Sequence, residues 1–366
     1  MSKKKKKTHN ILTETKYNYA VYKFDKPLKL GVDFNNAIIP QNTHILLPSK
    51  VVPKNIKKTA ILENIIKPIP KNMSSKEQLI LVIREGGIGD IISSLYAIAE
   101  FKIANPNIKI GYMCSFKYHD ILRYFPMLID FIINPALNLL SLKKFNYIAY
   151  FDNIVESSIN NIHDTFADIM HVNIKKETTE LVTSLNTAYQ PEQKRNIIGI
   201  QYKTNAIIRN YDIEKVIDLI ININKKYGMA VFLLGPANDY HFIDYLRSRT
   251  KGGIIANGCG EREYSIGQLM SIMSQFKLVI SSDSSMLHLA GVTDTPMIGL
   301  FGPFPSETRI KYYNNAIGID GVANCSPCFR HNPISFCKFN NGEGICLNNI
   351  STDIIMENVD LIMNRS

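Results

Sequence analysis

Between residues 79 and 301 the chain runs twice through one pattern: a short apolar run, a polar or glycine turn, then apolar residues at helical spacing. Leu79 to Ile83 is uninterrupted and ends in β-branched residues, as a strand buried on both faces requires. Glycines follow at 86, 87 and 89, and then Ile91, Ile92, Leu95, Ile98, Ala99 and Ile103 mark one helical face. Residues 108–113, 131–133 and 147–151 read as further strands. The pattern restarts with strands expected at 197–202, 231–234, 254–255, 278–281 and 296–301. Helices are expected between them at 213–227, 240–249, 266–276 and 286–291. Strands alternating with helices imply an α/β chain whose parallel sheets are covered on both faces. The boundary between the two units falls near 182–195, where Gln190-Pro191-Glu192 interrupts. We therefore expect one domain over 77–188 and a second over 189–366. Ligands of open parallel sheets sit beyond the carboxyl ends of the strands, so two facing units would share one cleft.

The chain has 366 residues, 45% hydrophobic and 20% charged, which fits two folded domains and excludes whole-chain disorder. No window reaches 18 uninterrupted apolar residues, so no membrane-spanning helix is expected. The formal charge of +10 resembles a nucleic-acid signature until it is located. Residues 1–76 hold sixteen lysines, no arginine and four acids, a net of +12, whereas the remaining 290 residues net −2. The excess therefore belongs to the first segment, and nucleic acid is not the expected partner of the body. Residues 1–15 read as a disordered Lys-rich tail, whose Lys3–Lys7 run suits peripheral contact with an acidic membrane. That run leads into polar residues rather than an apolar stretch, so no export signal is expected and the location is cytoplasmic, at most peripheral at the inner membrane face. Residues 16–76 form a β-like extension and linker. Tyr19, Val21 and Phe24 nearly alternate and 44–48 is a short apolar run, while Pro68, Pro70 and the serines at 74–75 mark residues 54–76 as a linker or strap.

Two constellations carry candidate chemistry. The first is Arg84-Glu85-Gly86-Gly87-Ile88-Gly89-Asp90, a strand end, a glycine turn and a helix start. Gly87 and Gly89 permit close approach of a ligand or a second backbone. A dinucleotide fingerprint fits poorly, because Ile92 occupies the third glycine position and no acid ends the next strand. Asp90 either complements the helix dipole or acts as a general base at the cleft mouth. The second constellation runs from Ser281 to Ala290. Ser284 and Ser285 place hydroxyls beside backbone N–H groups at a helix start, which suits a diphosphate, and His288 either joins them or faces the core. Gly299-Leu300-Phe301-Gly302-Pro303 would form the adjacent wall.

Together the two constellations resemble the bacterial family 9 glycosyltransferases, best known for ADP-heptose:lipopolysaccharide heptosyltransferases. That family carries Arg-x-Gly-Gly-x-Gly-Asp after a hydrophobic strand, matched by Arg84 to Asp90. It also carries Asp-Thr-Gly-x-x-His and then Leu-Phe-Gly-Pro, matched by Asp283 to His288 and by Leu300 to Pro303. The resemblance covers about 78–360. It implies the GT-B fold, two Rossmann-like domains facing a cleft, here with a small β-rich N-terminal extension. It implies inverting transfer of a heptose-like sugar from a nucleotide-diphosphate donor, ADP-heptose-like, to a glycan, lipid or protein acceptor. Asp90 would take the acceptor proton, Asp283 would contact the donor sugar, and Ser284, Ser285 and His288 would hold the diphosphate. Gly302 would complete the donor wall. Arg209 stands where the family shows lysine, with Lys203 as the alternative, and Asp239 either corresponds to the acid that meets the nucleoside or is an exposed loop carboxylate. Ser285 departs from the family's glycine. No catalytic metal is required by this scheme. The rival reading is a non-catalytic nucleotide-sugar-binding or scaffold protein of the same fold.

Four of the six cysteines, Cys325, Cys328, Cys337 and Cys346, fall within 22 residues at a spacing that can close around one ion. Disulfides and free thiols are the alternatives. Zinc is the default from ligand chemistry. The resemblance extends to a protein-modifying subgroup in which such a cluster binds iron and an N-terminal extension serves assembly, so iron and a homo-oligomer are what that subgroup implies. Cys114 and Cys259 read as packing residues. His163 and His171 are expected on a polar helix surface, with a metal pair as the minor alternative. The helix near 354–363, with Ile355, Val359 and Ile362 on one face, is expected to pack back on the first domain.

Overall fold

The computed structural model of the protein describes residues 19–364 except 32–33, 55, 57, 63–64, 75, 157, 189–190, 192, 202, 236–239, 251–253, 258–263, 331–335 and 341. The Lys-rich tail, Asp239 and Cys259 lie outside the described residues.

In the second lobe six parallel strands stand side by side in the order Ile254–Asn257, Ala230–Leu234, Ile197–Gln201, Leu278–Ser282, Met297–Phe301, Ala316–Asp320. Chain order reverses between Ile197–Gln201 and Leu278–Ser282, and that reversal opens a crevice beyond Gln201 and Ser282. In the first lobe the order is Lys67–Pro68, Tyr147–Tyr150, Gln78–Ile83, Ile108–Met113, Phe131–Ile133, all parallel. Its reversal falls between Gln78–Ile83 and Tyr147–Tyr150. The glycine turn is therefore placed at the first lobe's own crevice.

Local chemistry explains the helices that cover these sheets. Asp212 caps Ile213–Tyr227 by accepting from the N–H groups of Glu214 at 2.9 Å and Lys215 at 3.1 Å, and Gly228 ends it at φ +62°. Val216, Ile217, Leu219, Ile220 and Ile223 bury the inner face, a gross gain of about 10 kcal/mol before conformational entropy is charged against it. Helix Ile88–Ala104 is buried without a break from Ile91 to Phe101 because it packs on both lobes: Leu95, Tyr96 and Ile98 share one core with Leu287, Leu289 and Tyr313.

Two expectations need correction. Residues 54–76 are not only a strap. Lys58–Ile61 pairs with Tyr19–Lys23 in a four-stranded antiparallel sheet that also contains His44–Pro48 and Leu137–Asn138. Lys67–Pro68 extends the first-lobe sheet at its edge, a position where proline's missing N–H costs no ladder bond. Helix Thr352–Met363 packs on the second lobe instead of the first. Ile355, Val359 and Ile362 join Val216, Ile220 and Ile223, and Lys226 and Tyr227 both bind Asp360. No helix among the described residues is long and apolar enough to cross a membrane.

Candidate active site

The two crevices open into one cleft of about 940 Å³. From the first lobe it is lined by Gly86 to Asp90, Tyr118, Val155, Glu156 and Ile162, and from the second by residues that include Gln201, Lys203, Arg209, Asp283 to Met286, His288 and Arg309. Charge divides between the walls. Among the described lining residues the first lobe presents Asp90 and Glu156, and the second sets Lys203, Arg209 and Arg309 against Asp283.

Asp90 stands at the third position of helix Ile88–Ala104, where its Oδ2 accepts from the Gly87 N–H at 2.8 Å. The same oxygen lies 3.0 Å from Arg84 Nη2. Arg84 is 1% exposed, although it ends a strand at a cleft. It donates from Nη2 to Glu156 Oε1 at 2.9 Å and from Nη1 to Glu156 Oε2 at 3.3 Å, and to the Phe151 carbonyl at 2.9 Å. Asp152 lies 3.8 Å away. Burial works against this charge, but Asp90, then Glu156 and Asp152, hold the guanidinium well above its ordinary value. Burial pushes Asp152 up to about 7, opposed by the Glu85 N–H and Arg84. A Cβ on Gly86 would collide with Arg84 and lie 2.5 Å from Asp90 Oδ2, so glycine is required there for Arg84 and Asp90 to meet.

Facing this wall, Ser284 caps helix Ser285–Val292: the Met286 N–H donates to its Oγ at 3.1 Å, and that Oγ donates to Gln201 Oε1 at 2.6 Å. Gln201 and Ser284 belong to the two sides of the second lobe's crevice, so this bond closes its floor. Asp283 is 4% exposed and sits between two guanidiniums, Arg209 Nη1 at 3.6 Å from Oδ2 and Arg309 Nε at 3.6 Å from Oδ1. Arg209 Nη1 also donates to the Asp283 carbonyl at 2.9 Å. Arg309 rests over the Phe304 ring, 4.2 Å from its centroid. Lys203 lies 5.5 Å over the Phe242 ring, so both basic candidates are in the cleft.

His288 touches the cleft but is 4% exposed. Its Nδ1 is 2.6 Å from the Tyr313 hydroxyl and 3.3 Å from Ser93 Oγ, a residue of the first lobe. Its ring also fills the place of a Gly89 side chain, since a Cβ there would lie 2.5 Å from His288 Cδ2. Burial lowers its pKa to about 4 despite the attraction of Asp283 and Asp90, so it is neutral at pH 7. Its environment therefore makes it a contact between lobes first. Gly302 is buried against Cys346 and Leu347 and is not among the cleft-lining residues.

Sequence reasoning gave no role to Arg84 and missed Glu156 and Arg309. Glu156 lies beyond the carboxyl end of Tyr147–Tyr150 at a sheet reversal, a position that could have flagged it. Arg309 rides on the four-residue helix Glu307–Ile310, which has no spacing signature.

The cysteine cluster does not assemble as expected. Cys325, Cys328, Cys337 and Cys346 are all described, yet no three or more His, Cys, Asp or Glu side chains converge on a common point among the described residues. Cys346 is buried beneath Gly302 and its thiol is pushed up by burial, Cys337 is held in a bridge to Gly342, and Cys325 is exposed. In this arrangement the four thiols do not fit one tetrahedral ion. His163 is also misplaced by the sequence. It is fully buried, not on a polar surface, and its ring packs against Tyr96 at 4.8 Å and Tyr313 at 5.4 Å. His171 caps the end of its helix and meets the Ile69 carbonyl.

Fold and site together define a two-lobed α/β transferase whose cleft sets carboxylates against a cationic, hydroxyl-rich wall. The sequence profile described as glycosyltransferase family 9 (heptosyltransferase) matches residues 134–336, and the chain belongs to that family. It is thus a glycosyltransferase, with the GT-B arrangement of its solved relatives. The family 9 glycosyl transferase of Veillonella parvula superposes with a TM-score of 0.57 at 15% identity, over 81% of this chain and 100% of its own. The E. coli ADP-heptose lps heptosyltransferase II gives 0.52 at 12%, over 78% and 98%. The iron-containing dodecameric glycosyltransferase TibC of enterotoxigenic E. coli gives 0.60 at 10%, over 95% of this chain and 96% of its own, so its likeness takes in the N-terminal extension. No curated protein matches the chain in sequence.

Proposed function

We propose that the protein transfers a sugar from a nucleotide-diphosphate donor to an acceptor hydroxyl with inversion, using Asp90 as the general base. The observation that carries this reading is the shared cleft, which joins Asp90 of the first lobe to Asp283, Ser284, Ser285 and Arg209 of the second. The Gly87 N–H and Arg84 both meet Asp90 through Oδ2, and Oδ1 is the oxygen assigned to the proton of an incoming hydroxyl. The donor belongs on the cationic wall. Arg209 and Arg309, with the positive end of helix Ser285–Val292, stabilise charge as the diphosphate leaves. Asp283, held between these guanidiniums, orients the sugar. Inversion follows from a single displacement, with the base on the face opposite the leaving group.

The donor is a heptosyl nucleotide of the ADP type. Support comes from the family, and from solved relatives that hold ADP or ADP-heptose. The first lobe is the acceptor lobe and the second the donor lobe. Calorimetric titration with ADP-, GDP- and UDP-sugars tests the reading. Preferred binding of the ADP-heptose donor, with release of ADP once candidate acceptors are added, is expected. Failure to bind any nucleotide sugar would overturn it.

A further inference from the structure

Glu85 stands between Arg84 and Gly86 in the turn that leads to Asp90, and both of its carboxylate oxygens are held by the N-terminal extension. The Tyr19 hydroxyl donates to Oε1 at 2.8 Å, and Lys50 Nζ meets Oε2. Tyr19 is 1% exposed on strand Tyr19–Lys23. Burial, then the Glu85 charge, raise its phenol well above the ordinary range and keep it a donor. Its ring meets Tyr150 edge-on, with centroids 6.3 Å apart, and Tyr19, Val21 and Leu46 share a core with Leu81, Ile83 and Ile148. Lys50 sits in the short turn Ser49–Val51 that follows strand His44–Pro48. The Glu85 N–H in turn donates to Asp152 Oδ1 at 2.6 Å.

Two consecutive residues are thus anchored on different parts of the molecule. Arg84 binds Asp90 and Glu156 at the cleft, and Glu85 binds the extension. Between them and Asp90 lie three glycines, whose backbone freedom cannot by itself fix where the carboxylate points. We infer that the extension is part of the active-site frame: Tyr19 and Lys50 are positioning residues that act through Glu85 to hold the loop carrying Asp90. This rests on the reading of Asp90 as base.

The test uses the full chain with Tyr19→Phe/Lys50→Met, compared with Tyr19→Phe/Lys50→Arg and with Thr59→Val, which loosens the extension elsewhere by removing the Thr59 hydroxyl bond to the Val21 carbonyl. Charge-assisted bonds to a carboxylate are strong enough that losing two should speed amide exchange across residues 84–92 by roughly tenfold or more. Exchange in Ala230–Leu234 and Leu278–Ser282 should not change, ADP affinity should stay within about twofold, and ADP release during transfer should slow by roughly tenfold. The Lys50→Arg pair should recover part of both effects, and Thr59→Val should produce neither. Lys50→Met alone, at an exposed side chain, gives the same reading at smaller amplitude should the double variant not fold. Unchanged exchange at 84–92, or acceleration equal in every segment, would overturn the inference. Local acceleration together with full transfer by Asp90→Asn would sustain the clamp and remove Asp90 from the chemistry, so the two failures are distinguishable.

Discussion

Arg84 Nη2 lies 3.0 Å from Asp90 Oδ2 across the glycine turn, and the arginine is wholly enclosed while the carboxylate lines the cleft. A buried cation so placed is balanced only by its partners, and removing one member of a buried pair leaves the others uncompensated. Arg84→Met should therefore destabilise the protein by about 3 kcal/mol, because Asp90, Asp152 and Glu156 lose their common counter-charge. Arg84→Lys should recover only part, since an ammonium cannot reproduce the two-pronged bond to Glu156. Urea denaturation at pH 7.5 measures both.

Arg309 and Arg209 flank the Asp283 carboxylate at 3.6 Å each, on opposite oxygens. If they serve the leaving diphosphate, Arg309→Gln should weaken ADP binding by roughly tenfold to a hundredfold, the range of a charge-assisted bond to phosphate. Adenosine binding should change by less than about threefold on the same scale. Calorimetric titration of the two ligands separates loss of a phosphate contact from general damage to the lobe.

The buried histidines give the protein an acid-sensitive interface. His288 has its pKa lowered to about 4, so the unfolded chain takes up this proton near 6.5 and the folded chain does not. Stability from this group is complete above pH 6.5 and falls as pH drops toward 4, by about 3 kcal/mol in all. Burial also holds His163 well below its ordinary value, and it acts in the same direction. Asp152, raised to about 7, acts oppositely, gaining stability as pH falls through that value. The difference between wild type and His288→Gln isolates the first contribution. The variant should lose less stability than wild type between pH 7 and pH 4.5 in urea titrations.

Legibility in the sequence followed the strength of the local signal. The buried strands Gln78–Ile83, Ala230–Leu234 and Leu278–Ser282 were readable because a strand covered on both faces must be apolar throughout. Asp90, Asp283, Ser284 and Ser285 sit at strand ends or helix starts, where turn chemistry is distinctive, whereas Arg209 was reached only through the family resemblance; all five line the cleft. Lys58–Ile61 was not readable, since its lysine and flanking prolines resemble a linker until Tyr19–Lys23 is there to pair with it. His163, Glu156 and Arg309 were invisible for a different reason. His163 and Glu156 owe their places to contacts more than seventy residues away in sequence, with Tyr313 and Arg84, and Arg309 owes its place to Asp283 on a different element of the second lobe. The cysteine spacing permits a tetrahedral site without enforcing one: among the described residues Cys346 goes into the core under Gly302 while Cys325 stays outside.

The most direct measurement is the turnover of Asp90→Asn with an ADP-heptose donor, taken beside its affinity for ADP. General-base assistance contributes about 10²–10⁴ in rate, so the variant should lose that much transfer and bind ADP within about twofold of wild type. Transfer at the wild-type rate by a variant with no carboxylate at position 90 would contradict the account.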